Sequence, residues 1–360
     1  MRLALAHEYF SQWGGAERVT ETLHQMWPGA PVYTLFVEPR YRRSLRGWDV
    51  RTSWLQSLPL SGGLHRLLLP LLPRAVGSLR VEPVDVLVSS SSSFIKGVVA
   101  PDGARHVCYC HSPTRYLWDW SENYLREEVP LGLRGAVRSL LDPLRAWDIA
   151  AASRVHRFVA NSEAVRGRIR RYYGRDADVV HPPVEVGAYE LRPEREDFYL
   201  IVSRLIAYKN VDVAIRAFNE LGLRLKILGE GRDRRRLERI ARDNVEFLGR
   251  QPDHQLRELL AVSRGLIFPA EDDFGIVCVE ALASGRPVLA LARGGAAEIV
   301  EDGRTGILFA SPTPEAVADA VRRAEHATFD PAELRRGAER FDSSIFRQRM
   351  EAIVNQEAAR

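Results

Sequence analysis

Short apolar runs alternate with helical segments along this chain, and after a proline-rich break the alternation begins again. Strand-like runs fall at residues 3–6, 31–36, 84–89, 106–110 and 155–160, and a helix is expected over 15–27, closed by Pro28. Apolar runs this short, separated by helices, predict parallel strands buried on both faces. Residues 181–193 then carry three prolines and no periodicity, the mark of a linker. A second cycle follows, with strands at 198–203, 225–228, 245–248, 266–269 and 287–291 and a helix at 211–221. A last helix is expected over 343–358. The pattern therefore predicts an α/β chain of two doubly wound domains, 1–185 and 186–342, with a helical tail at 343–360. A length of 360 residues suits two domains of ordinary size.

The segment Ala270 to Gly285 concentrates the chemistry. An acidic cluster, Glu271, Asp272 and Asp273, is followed by Phe274 and Gly275 and then by an apolar helical run holding one more acid, Glu280. A Phe-Gly turn opening a helix offers free backbone N–H groups and the positive end of the helix dipole, which suits a phosphate. An acid within that helix can accept hydrogen bonds from both hydroxyls of a ribose. A loop acid, an anion-binding turn and a helix acid can together hold a sugar, a diphosphate and a ribose in line.

This block resembles the retaining glycosyltransferases of family 4, whose signature is Glu, seven residues, Glu, with Phe-Gly after the first acid. The resemblance implies the GT-B architecture, two doubly wound domains facing a cleft. It implies an acceptor-side N-terminal domain, a nucleotide-sugar-binding C-terminal domain and a tail that crosses back to the first. Here the first acid is Asp272. Asp is one methylene shorter than Glu, so either the backbone moves closer or Glu271 shares the role of binding the donor sugar.

Three further motifs fit the same resemblance. Gly14 and Gly15 follow the first strand and open a helix; they resemble the family's glycine loop, which faces the donor diphosphate and the acceptor. Arg204 and Lys209 stand five apart across a strand-to-helix turn, where the family clamps the leaving diphosphate with two cations. Cations fixed where negative charge develops lower the barrier to transfer. His111 ends an N-terminal-domain strand, the end at which open α/β sheets bind ligands; the family's histidine here contacts the donor sugar, often at its 6-hydroxyl. The continuation Arg115 to Asp119 resembles a mannosyltransferase-like branch that serves polysaccharide and O-antigen assembly. Lys96 is expected to face the acceptor, and Gly229 to pass under the nucleotide. Gly294 and Gly295 precede a helix and read equally well as a plain turn.

Composition sharpens some of this. Of 51 basic residues only Lys96, Lys209 and Lys226 are lysine. Where arginine is used almost everywhere, a lysine points to a task for a compact ammonium. Residues 1–185 hold 24 basic against 18 acidic residues, a balance of +6; the remainder holds 27 against 29, a balance of −2. A basic first half suits an anionic partner such as a phospholipid surface or a lipid diphosphate. No nucleic-acid motif is present. Residues 62–74 form an apolar run edged by His65, Arg66 and Arg74 that reads as a membrane-lying segment or a buried helix; Pro70 and Pro73 favour the second. The start lacks a signal-peptide pattern, and three cysteines make no disulfide framework, so reduced thiols in the cytoplasm are expected. Cys108 and Cys110 lack a second ligand pair for a metal.

These readings converge on a retaining, metal-independent hexosyltransferase that needs no cofactor. GDP-mannose is the first donor and a UDP-sugar the second. The acceptor is a saccharide hydroxyl, lipid-linked at the inner membrane face, with peripheral attachment to anionic lipid. Two other readings stay open: a nucleotide-sugar epimerase, and a protein that binds nucleotide sugar without turnover.

Overall fold

The computed structural model describes residues 1–58, 69–127, 129 and 131–360. Among them, two all-parallel sheets form, and contacts divide the chain into two units. The first unit is Met1–His181 together with Phe346–Arg360; the second is Pro182–Ile345.

The first sheet runs β3-β2-β1-β4-β5-β6-β7. Its strands are β1 (Leu3–His7), β2 (Val32–Thr34), β3 (Val50–Thr52), β4 (Val86–Ser91), β5 (Arg105–Cys110), β6 (Arg157–Ala160) and β7 (Ala177–Val179). Every residue of β1 and β4 is buried, as parallel strands covered on both faces require. Helix Ser343–Ala358 lays Phe346, Met350, Ile353 and Val354 against Val107 and Tyr109 of β5. Their spacing of four, three and one is one face of a helix.

The second sheet runs β10-β9-β8-β11-β12-β13. Its strands are β8 (Tyr199–Val202), β9 (Leu225–Leu228), β10 (Val245–Gly249), β11 (Gly265–Phe268), β12 (Val288–Leu291) and β13 (Gly306–Phe309). The reversal of strand order beside β8 makes a topological switch point, beyond whose carboxyl ends open α/β sheets bind ligands. The fold is α/β of the GT-B class. Strands β3, β7 and β13 lie outside the sequence reading.

Residues 62–68 of the apolar run lie outside the described residues. The end of the run enters a short helix, Leu72–Gly77, with Leu72, Ala75 and Val76 buried in the core of the first unit. No helix among the described residues is long and apolar enough to cross a membrane.

Candidate functional site

In the second unit the candidate residues gather on loops leaving the carboxyl ends of β8, β9, β11 and β12. Beyond β8 the chain makes a 3-10 turn, Ala207–Lys209, and enters helix Val211–Leu221 through Asn210. Asn210 has φ of 53°, the one positive φ outside glycine among the described residues. Asparagine tolerates that conformation better than most side chains. Its Nδ2 donates to the Pro269 carbonyl at 3.0 Å, stitching this loop to the one beyond β11. The stitch brings Lys209 onto Asp272: the Lys209 ammonium donates to the Asp272 carboxylate, with both side chains mostly buried. The ammonium also lies 5.2 Å from the Tyr208 ring centre. Arg204 is exposed, and its guanidinium donates to the Tyr208 hydroxyl at 2.8 Å. Tyr208 thus touches both cations expected from the sequence.

The loop beyond β11 turns at Gly275, φ 96°, into helix Ile276–Ala283. Phe274 points inward, 3% exposed, with its ring edge-on to Phe341 at 5.5 Å. The aromatic ring is therefore an anchor in the core. Glu271, Asp272 and Asp273 are half-buried, while Glu280 is 3% exposed in a helix that is apolar on nearly every face. Burial, then the nearby Asp272 and Glu280 carboxylates, push the Cys278 thiol well above its ordinary range. The thiol is therefore held buried and neutral.

Glycines make this packing possible. A Cβ on Gly229 would lie 1.8 Å from the Ser203 carbonyl oxygen, and one on Gly231 would lie 2.1 Å from that of Leu205. The end of β9 thus crosses directly against the segment bearing Arg204. The sequence missed a second such crossing. Gly295 donates its N–H to the Asp272 carbonyl at 3.0 Å, and Cβ atoms on Gly294 and Gly295 would collide with the backbone of Asp272 and Phe274. The Gly-Gly pair was visible; its partner segment was not.

In the first unit the candidates lie beyond β1, β4 and β5. Gly14 caps helix Gly15–Met26, and its N–H donates to the Glu17 carboxylate at 2.9 Å. His111 follows β5 and is mostly buried, with Nε2 2.8 Å from the Ser90 hydroxyl. Burial, then the neighbouring His7, lower its pKa to about 3, so the ring is neutral at physiological pH.

Lys96 corrects an expectation. It is 1% exposed, and its ammonium pairs with Asp148, itself fully buried. Asp148 also accepts from Thr114 at 3.0 Å, Trp118 Nε1 at 2.9 Å and Tyr173 at 2.7 Å. Lys96 is thus turned inward, where its charge balances the acid that organises Thr114 and Trp118. Glu8, unremarked in the sequence, is likewise buried. Its carboxylate accepts from the backbone N–H groups of Ser93, Phe94 and Ile95 at 3.1, 2.8 and 3.3 Å, and desolvation raises its pKa. A charged residue directly ending an apolar strand was the available signal. Among the described residues no His, Cys, Asp and Glu cluster could hold a metal ion.

Two parallel-sheet units with polar loops at their switch-point ends define a GT-B protein. Known proteins agree. The model for Glycosyltransferase Family 4 matches residues 13–187, and that for Glycosyl transferases group 1 matches residues 188–341. The chain belongs to the family 4 glycosyltransferases. An uncharacterized glycosyltransferase of Methanocaldococcus jannaschii is 31% identical over 33% of this chain and 35% of its own length. The alpha-D-kanosaminyltransferase of Streptomyces kanamyceticus is 30% identical over 54% of this chain and 50% of its own. The chain thus spans half or less of the length of these curated relatives. Among solved structures, sucrose-phosphate synthase of Thermosynechococcus elongatus superposes with a TM-score of 0.75 at 18% identity, covering 100% of both chains. HepE of Anabaena, solved in complex with UDP, gives 0.73 at 18% identity over 99% of this chain and 100% of its own.

Proposed function

We propose that this chain transfers a hexose from a nucleotide-diphosphate sugar to a hydroxyl of a saccharide acceptor, with retention and without a metal ion. The contact between Lys209 and Asp272 carries the reading, because it sets a cation and an acid side by side at a sheet switch point. In this reading Lys209 and Arg204 stabilise the departing diphosphate, as fixed cations do for charge that develops in a transition state. Asp272, with Glu271 beside it, binds the donor sugar. Phe274 and Gly275 present backbone N–H groups to phosphate, Glu280 holds the ribose, Gly229 lies under the nucleotide, and His111 meets a sugar hydroxyl. Gly14 and Gly15 face diphosphate and acceptor. GDP-mannose is the first donor to test. A UDP-sugar is the second to test; HepE, of the same fold, was solved with UDP and with UDP-glucose. The proposed acceptor is a lipid-linked saccharide, reached by peripheral attachment to anionic membrane.

The test is transfer from labelled donors, with products separated from free sugar and from epimerised donor. Lys209→Ala and Arg204→Ala should each lose on the order of a hundredfold in kcat, the scale of one lost transition-state contact. Wild-type turnover in either variant removes the clamp. Thermal shifts with GDP and UDP decide the base.

A further inference from the structure

One side chain touches both cations of the proposed diphosphate clamp. Tyr208 lies between Arg204 and Lys209 in sequence, within the 3-10 turn Ala207–Lys209 that follows β8. Its hydroxyl accepts from Arg204 Nη2 at 2.8 Å. Its ring centre lies 5.2 Å from the Lys209 ammonium, within the range of a cation–π attraction. Arg204 is exposed, Tyr208 is half-buried and Lys209 is buried. The phenol thus spans the step from surface to interior, with one cation at its tip and the other over its ring.

These contacts differ from an ion pair in one respect. A carboxylate that holds a cation also cancels its charge toward a third group. A hydroxyl oxygen and an aromatic face attract a cation through a dipole and a quadrupole, and its net charge stays in place. Lys209 has both kinds of partner, the Asp272 carboxylate and the Tyr208 ring. Asp272 is the acid read as binding the donor sugar. An ammonium held by that carboxylate alone would follow it as a sugar hydroxyl engages it, and the ring gives the ammonium a second attachment. Arg204 sits on a long stem with many rotamers, and its bond to the phenol narrows that search. We infer that Tyr208 is a positioning residue that sets the place of Arg204 and Lys209 without neutralising either. This rests on the reading of Arg204 and Lys209 as the diphosphate clamp. Fixed cations serve a developing charge because they need no reorganisation when it appears.

Two measurements test the role, and the first needs no activity. The chain has three lysines, so carbon–proton spectra of the full chain labelled with 13C-lysine show three ε-methylene signals. Lys209 is assigned by its loss in Lys209→Ala. Its signal should be displaced by the Tyr208 ring current in wild type, keep its place in Tyr208→Phe and lose the displacement in Tyr208→Leu. Lys226, whose ammonium lies 3.9 Å from the Phe198 ring centre, should hold still throughout. The second measurement is a double-mutant cycle on transfer from labelled GDP-mannose and UDP-glucose. Tyr208→Phe should lower kcat roughly threefold to tenfold, the scale of one hydrogen bond, and Tyr208→Leu should lower it further. In the Arg204→Ala background Tyr208→Phe should add no loss, because the hydroxyl acts through Arg204; a merely structural role would cost the same in both backgrounds. A Lys209 signal unmoved in Tyr208→Leu, or a Tyr208→Phe loss that persists in full without Arg204, overturns the inference. If Arg204→Ala and Lys209→Ala both transfer sugar as wild type does, the clamp reading fails, and the lysine spectra still decide whether Tyr208 holds Lys209.

Discussion

Gly295→Ala isolates the support of the Asp272 loop. Gly295 is the N-cap of helix Ala296–Ile299, with φ of −67° and ψ of −25°, a backbone conformation that alanine adopts without strain. Backbone conformation alone therefore forbids no alanine here. Packing decides otherwise. The new Cβ would lie 2.2 Å from Phe274 Cα and 2.5 Å from its carbonyl oxygen, both rigid backbone atoms. Reaching the 3.4 Å of ordinary contact requires the two segments to part by about 1.2 Å. That movement lengthens the bond from the Gly295 N–H to the Asp272 carbonyl and draws Asp272 away from Lys209. A displacement of about 1 Å in a positioning element can cost on the order of a hundredfold in rate. The expected outcome is a loss of that order in kcat, with a lowered melting temperature. Gly167→Ala is the control, since it lies in helix Glu163–Tyr173 with nothing within 4 Å of the added carbon. Steady-state transfer and thermal denaturation of both variants are the assays. Gly295→Ala within twofold of wild type in kcat would show that the loop tolerates the shift and that the reasoning is wrong.

Lys96→Met should destabilise the chain by about 3–5 kcal/mol in denaturant titration, because it strands the buried Asp148 charge; Lys96→Met with Asp148→Leu should recover part of the loss. An unchanged midpoint in the single variant would remove the interior pair as a stabilising element. Burial first, then the nearby His156, lowers the His106 pKa from 6.5 to about 3, so the folded state resists the proton that the unfolded state accepts. The stability that His106 gives as a neutral group is complete above pH 6.5 and is lost as pH falls toward 3. The stability gap between wild type and His106→Gln should narrow by about 2 kcal/mol between pH 7 and pH 5, at 1.36 kcal/mol per pKa unit; a constant gap contradicts the burial argument. Transfer should persist in excess chelator, and loss restored by manganese or magnesium would overturn the metal-independent reading.

The sequence made the longer strands of both sheets and their helices legible, because burial on two faces leaves unbroken apolar runs. It did not reveal β3 or β7. Val50–Thr52 and Ala177–Val179 are three residues each, too short for any period to register, and they lie at the outer positions of the sheet. Gly306–Phe309 carries an ordinary apolar signal that the reading passed over. At the candidate site, residue types were legible and relations were not. Lys209 and Asp272 stand 63 positions apart, and nothing local says that they meet. Lys96 was read by its rarity as a ligand contact, but its partner, Asp148, lies 52 residues away in a helix, and only the fold shows that the charge points inward.

The second unit's glycines show what a turn signal conceals. Gly294 and Gly295 read locally as a plain turn, and Gly229, with Gly231 beside it, as a strand end passing under a nucleotide. In the fold each faces another loop's backbone at a distance no side chain allows: Gly229 and Gly231 against Ser203 and Leu205, Gly294 and Gly295 against Asp272 and Phe274. These segments flank the loops that carry Arg204, Lys209 and Asp272. Asn210 ties the two loops together through Pro269. The position of the cation and the acid is therefore set less by their own contacts than by how closely four glycines let backbone approach backbone. Close-packed backbone yields little to small forces, so Lys209 and Asp272 are held in place before any ligand arrives. That preorganisation is what a site stabilising a departing diphosphate requires, because donors already in position need no reorganisation when charge develops.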